Sequence, residues 1–206
     1  MEIKELPKLL TEIKQTTKFK PDPIDDSIIG QILYAASKAP SAGNITPWKF
    51  IVVKDEEIKK NLAKAALHQS FIKDAPVVIV VCGDLDRAIG KYGTRGEKLY
   101  LIQDTSYASM LIFLACKALD LGCYLVRAFD ENSVKEILEI PENIRPFTII
   151  PIGYKIEEPE LEEYRVPYEE LTYLNKYGNK FKEEFQPIEE KIKKIIFKRL
   201  RKEKAK

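Results

Sequence analysis

The residues best suited to chemistry lie in one short stretch, Ala39-Pro40-Ser41-Ala42-Gly43-Asn44-Ile45-Thr46-Pro47-Trp48. Two prolines and a glycine break any regular period through it. Its polar groups are short and stiff: Ser41, Asn44, Thr46 and the amides between them. Such a loop can lay backbone and side-chain donors and acceptors against a flat, hydrogen-bonding ligand. Taken alone, a connection of this kind is most often chemically inert. Other candidates are weaker. His68, the one histidine, has no Asp or Cys at ligand spacing and reads as structural. Glu56 and Glu57 read as a solvated helix face. No Ser-His-Asp order is present.

The elements that must position this loop follow from periodicity. Asp25-Asp26-Ser27 offers a helix cap, and Ile28, Ile29, Ile32, Leu33 and Ala36 follow at helical spacing, so a helix is expected over 25–38. Residues 48–54 read as a strand and 55–66 as a helix carrying Ile58, Leu62 and Ala66. The β-branched run Val77-Val78-Ile79-Val80-Val81 reads as a strand buried on both faces. Residues 83–98, polar and containing four glycines, read as a loop. Residues 101–121 are apolar nearly all round and predict a buried central helix, with Gly122 as its stop. Further strands are expected over 123–127 and 147–153, with a helix between them opened by Asp130. Ile3, Leu6, Leu9, Leu10 and Ile13 predict a helix within residues 1–18. Charged, aromatic residues 157–182 read as a segment that wraps another surface, and 183–206 as a basic amphipathic helical tail. There is no GxGxxG turn to support a Rossmann reading.

Composition narrows the function classes. The chain has 206 residues, 45% of them hydrophobic and 32% charged, with a net charge of +2. That is enough apolar material for a core and too little net charge for a nucleic-acid binder acting through bulk field. No apolar run approaches the roughly 18 residues of a membrane span, and the first ten residues carry no signal-peptide pattern. Cys82, Cys116 and Cys123 lie in apolar stretches without metal spacing. They read as buried free thiols of a reducing, cytoplasmic setting.

Pro40-Ser41-x-x-Asn44-x-x-Pro47-Trp48 resembles the PSxxNxQPW segment of the nitroreductase family, the FMN-dependent NAD(P)H oxidoreductases, with Thr46 at the usual glutamine. Three further stretches match in order: Lys91-Tyr92-Gly93 through Tyr100-x-x-Gln103-Asp104; Ala128-Phe129-Asp130 with Val134-Lys135-Glu136-Ile137-Leu138; and Pro151-Ile152-Gly153-Tyr154 with Arg165-x-Pro167-Tyr168-Glu169-Glu170. Together they span roughly residues 10–172.

The resemblance implies an α+β fold. A central mixed or antiparallel sheet is flanked by helices around a buried central helix, forming one domain over 1–182 with 183–206 as a tail. It implies FMN, with NAD(P)H as electron donor, a small-molecule acceptor such as a nitroaromatic or quinone, and a homodimer, with no nucleic-acid or membrane partner. Pro40, Ser41 and Asn44 would serve the flavin ring, from the same or the partner subunit. Ala128 would supply the amide facing N5, with Arg127 beside it. Arg165 would sit on the phosphate with Lys14, Gln15 and Thr17. The family's arginine tract is altered in Ile13-Lys14-Gln15-Thr16-Thr17-Lys18-Phe19: two arginine positions hold Ile13 and Thr17. A lysine cannot reproduce a bidentate fork, so FMN is expected to bind less tightly. The alternative is a binding module of the same fold with a degraded phosphate site.

Overall fold

The computed structural model describes residues 13–156 and 165–181. They fall into two compact units. Ile13–Ile156 forms one, and 165–181 belongs to the other.

Helix starts in the first unit are set by aspartates. Asp25 accepts the Ser27 N–H at 2.7 Å and opens α1, Asp26–Ser37. Asp55 accepts the Ile58 N–H at 2.9 Å and opens α2, Glu56–Ala65. Each cap satisfies an N–H left orphaned at a helix start, worth about 1 kcal/mol. The chain continues through β1 (Trp48–Val53, between α1 and α2), α3 (Phe71–Asp74) and β2 (Val77–Asp84). It then runs through α4 (Leu85–Arg95), a π-helical turn at Gly96–Tyr100, and α5 (Leu101–Ala118). β3 (Leu121–Cys123), α6 (Glu131–Ile137) and β4 (Ile144–Tyr154) complete the unit. Asp130 caps α6 by accepting the Ser133 N–H at 2.7 Å.

The strands form one antiparallel sheet in the order β1-β2-β4-β3, with a register shift between Val81 and Cys82. β2 lies inside the sheet and is buried on both faces. Its alternation divides the core. Val77, Ile79 and Val81 pack with Ile29, Ile32, Ile112 and Phe113 of α1 and α5. Val78, Val80 and Cys82 pack with Leu62, Ile72 and Val134 of α2, α3 and α6. A strand covered on both sides needs apolar side chains at every position, hence the unbroken run.

Several expectations are corrected. Residues 85–95 are helical, not a loop. The glycines there serve a fold-back: Gly93 adopts φ 54 and ψ −144, closed to other residues, and kinks α4. A Cβ on Gly96 would overlap the Ala88 carbonyl. Gly122 does not stop the central helix. That helix ends at Ala118, Asp120 takes the left-handed turn with φ 56, and Gly122 lies in β3, where a Cβ would overlap Thr16. The third strand is accordingly Leu121–Cys123 rather than 123–127, and Val126 pairs with Ile149 only as an isolated bridge. Residues 13–18 are not helical. They run beside β3, where the Thr16 N–H donates to the Cys123 carbonyl at 3.1 Å. The rest of that expected helix, and the tail over 183–206, lie outside the described residues.

The central helix is buried on one side only, through Leu101, Asp104, Thr105, Ala108, Ser109, Ile112, Phe113 and Cys116. Its other side leaves Ile102, Tyr107 and Met110 exposed. Contrary to the expectation that no apolar run approaches a membrane span, one 18-residue window within Leu85–Ala118 is long and apolar enough for one by composition. In the second unit, α7 spans Tyr168–Leu171, and Tyr173 bridges Lys180. All three cysteines are buried free thiols, and burial pushes the Cys82 thiol up to about 12.

Ile112, fully buried between α5 and the sheet, tests the core. Ile112→Ala should lower the unfolding free energy by about 2–5 kcal/mol, read as a lower urea midpoint at unchanged slope.

Candidate functional site

The loop at 39–48 is held at both ends and in the middle by α5. Ala39 and Trp48 bury against Ala108. One helical turn before Ala108 on the same face stands Asp104, itself only 2% exposed. The Ala42 N–H donates to both Asp104 carboxylate oxygens, at 3.1 and 3.2 Å. Burial holds the Asp104 carboxyl above its ordinary value, against the lowering effect of the Ala42 bond. Between these anchors Gly43, Asn44 and Thr46 all have positive φ, of 54, 57 and 45. A β-branched residue is rarely left-handed, and such positions cost of order 1–3 kcal/mol.

Side chains from within the loop and from α4 offset that strain. The Ser41 Oγ accepts the Thr46 N–H at 2.9 Å. Arg87, whose N–H is capped by Asp84, donates through its guanidinium to the Thr46 carbonyl at 3.1 Å and hydroxyl at 3.4 Å. One turn on, the Lys91 ammonium donates to the Gly43 carbonyl at 2.8 Å. The Tyr92 hydroxyl occupies the space where a Gly43 Cβ would stand. A carboxylate thus accepts a loop N–H, and two cations donate to loop carbonyls. The Asn44 side chain is exposed and, among the described residues, makes no hydrogen bond. Its carboxamide can serve a ligand without breaking an internal contact.

The other expected site residues divide. Pro40, Ser41 and Asn44 share this loop. Gln15 lies elsewhere on the same unit, its amide oxygen accepting the Leu125 N–H at 2.7 Å. Lys14 and Thr17 beside it are exposed, while Ile13 packs toward the core. Arg127 and Ala128 follow Leu125 by a few residues and are exposed, with the Ala128 carbonyl accepting from Gln69 Nε2 at 3.3 Å. Arg165 belongs to the second unit. His68 is exposed, in a left-handed turn after α2.

Sequence reasoning gave Asp104, Arg87, Lys91 and Tyr92 no role. The signal for Asp104 was available, as a lone carboxylate between Leu101 and Ala108 on the apolar side of a helix. Reading 83–98 as a loop concealed that Arg87, Lys91 and Arg95 recur every fourth residue.

Comparison with known proteins follows from this arrangement. A model of the Nitroreductase family matches residues 16–70 and 64–154. An NADH dehydrogenase from Thermus thermophilus is 29% identical over 182 residues, covering 75% of this chain and 88% of its own. An FMN reductase [NAD(P)H] from Bacillus subtilis is 29% identical over 188 residues, covering 83% and 75%. Among solved structures, a nitroreductase family protein from Streptococcus pneumoniae superposes with a TM-score of 0.76 at 26% identity, over 82% of this chain and 100% of its own.

The Asp104 carboxylate yields a prediction with a definite sign. Because its carboxyl is raised in the fold, the native state binds more protons than the unfolded chain at pH values above 3.8, the ordinary carboxylate value. Its ionisation therefore costs stability as pH rises through that window. Asp104→Asn, which keeps an acceptor for Ala42, should gain stability relative to the parent between pH 4 and pH 7. Asp104→Leu orphans the Ala42 N–H and should lose about 1–3 kcal/mol at any pH. Thermal melts across that pH range check both.

Proposed function

Since the chain belongs to the nitroreductase family, an oxidoreductase family, we propose that it is an FMN-dependent enzyme moving electrons from NAD(P)H to an electron-poor small molecule, a nitroaromatic or quinone. The observation that carries this reading is the loop at 39–48, held in a left-handed course by Asp104, Arg87 and Lys91 with the Asn44 carboxamide left exposed. The NAD(P)H and FMN reductase names of its relatives support it.

The residues fit the ring side of FMN. Pro40 and Ser41 shape the loop, and Asn44 offers both a donor and an acceptor to a pyrimidine edge. On the phosphate side Lys14 supplies a cation, with the hydroxyl of Thr17 beside it. Ile13 is turned toward the core, and the Gln15 oxygen is already engaged by Leu125, so this tract offers fewer phosphate contacts than the family's arginines. Bound FMN supplies the two-electron relay between donor and acceptor. The chain's part is to position the ring, to present the Ala128 amide to N5, and to place the Arg127 cation where negative charge accumulates on reduction. In this reading residues 1–182 act as one domain, and the buried free thiols support a cytoplasmic setting.

The thinness of the phosphate side favours a second reading, a cofactor-free binding module. Titrating FMN while following its fluorescence separates the two. Saturable binding in the micromolar range, weakened about ten- to a hundredfold in Lys14→Ala, supports the enzyme. No binding at several hundred micromolar supports the module.

The exposed Ile102, Tyr107 and Met110 of α5 and Tyr34 of α1 form apolar surface that a second copy would cover. We accordingly propose a homodimer. Light scattering at micromolar concentration should return twice the chain mass of 23.7 kDa, and a stable monomer would refute it.

A further inference from the structure

Arg87 and Lys91, one turn apart on α4, both reach the loop, and a third cation, Arg95, follows just beyond the Gly93 kink. Each is bonded to a neutral group: the Thr46 carbonyl, the Gly43 carbonyl, and the Tyr100 hydroxyl at 2.9 Å from Arg95 Nε. Among the described residues none of the three pairs with a carboxylate. The acids of the same stretch are committed elsewhere. Asp84 caps α4, Asp86 accepts from Asn143 at 2.8 Å, and Glu97 bears on Arg145. No ion pair therefore neutralises these three cations among the described residues, and the carboxylate at the loop, Asp104, is bonded to the Ala42 N–H.

Aromatic surface stands in the same place. The Tyr92 hydroxyl abuts Gly43, the Tyr92 and Tyr100 rings meet edge to face at 5.0 Å, and the Arg95 guanidinium lies over Tyr100 at 5.3 Å. Contacts run without a gap from the loop through two half-buried rings to a guanidinium. Of its N–H groups only Nε–H is used among the described residues, so the terminal amino groups retain their donors. A guanidinium seated on a ring and anchored through Nε is pre-oriented for a planar anion.

We propose that this wall selects the acceptor: a planar aromatic molecule carrying an anionic group, its ring against Tyr92 and Tyr100 and its carboxylate on Arg95 with Lys91 adding field. The proposal rests on the oxidoreductase reading for the word acceptor, and on the geometry alone for the anion preference.

The test uses 4-nitrobenzoate and the neutral, similarly shaped 4-nitrobenzyl alcohol. Each is titrated by calorimetry into the full-length protein, with and without FMN. The expected result is a carboxylate affinity about tenfold above that of the alcohol, declining with salt for the carboxylate only. In Arg95→Gln the ratio should fall to near one, with the alcohol and FMN affinities unchanged. Arg95→Lys should restore part of it, and Tyr100→Phe, which releases Nε, should reduce it. Equal affinities in the parent, no measurable binding of either probe, or a ratio that survives Arg95→Gln would overturn the proposal. So would an Arg95→Gln variant that loses a preference for NADPH over NADH while keeping the probe ratio, since the cation would then serve the dinucleotide. If FMN fails to bind but the anion preference stands without it, the cofactor reading fails and the wall remains.

Discussion

The course of the loop at 39–48 depends on one buried carboxylate. Asp104 receives the Ala42 N–H from a position inside the apolar side of α5, where an ionised group is costly to bury. Among the described residues it has no cation as counter-charge. It is balanced instead by a backbone dipole, and by a neutral fraction that burial enlarges. Remove that acceptor and the middle of the loop loses its tie to α5, leaving only the apolar ends at Ala39 and Trp48. The left-handed residues would then be held only by Ser41 and by the α4 cations Arg87 and Lys91, from the other side of the loop's backbone polarity. The loop's conformation is thus written mainly in a helix sixty residues further along the chain.

The arrangement also explains why the loop is rigid without being packed. Its N–H faces a carboxylate and its carbonyls face cations, so each charged side chain meets the backbone pole of opposite sign. Such contacts are directional, roughly twice as strong as neutral ones, and leave the outward groups untouched. The loop keeps Asn44 open to solvent while its course is fixed. That combination suits a binding edge better than burial would, since a ligand meets groups already in place and little ordering remains for binding to accomplish.

Much of this could be read from the sequence. The caps at Asp25, Asp55 and Asp130, the α1 stripe of Ile29, Ile32 and Ala36, and the two-sided strand from Val77 are local patterns with one physical solution each. The family resemblance gave the α+β architecture and a sheet either mixed or antiparallel, of which the antiparallel one is found. What escaped had non-local causes. Gly93 and Gly96 made α4 look like a loop, yet both are there so that the chain can fold back against Ala88. Gly122 looked like a helix stop because glycine usually supplies left-handed backbone, whereas here it makes room for Thr16 and Asp120 takes the turn. Gln15, expected at the cofactor, also accepts a backbone N–H from Leu125. For Gly122 the deciding partner, Thr16, lies far along the chain.

The three cysteines carry a consequence of their own. Cys82 lies on the inner strand, with Cys116 on α5 and Cys123 on β3, and all are fully enclosed. Burial raises the Cys82 thiol, and a hydrogen bond with Cys123, together with burial, raises the Cys116 thiol. Alkylating reagents attack the thiolate and need a path to it, so neither condition is met in the closed fold. Modification must wait for the core to open, and its rate becomes a measure of how often it does. The chain therefore carries built-in reporters of breathing on both faces of its sheet, Cys82 for one and Cys116 with Cys123 for the other. Unequal labelling of the two faces would tell which half of the core yields first.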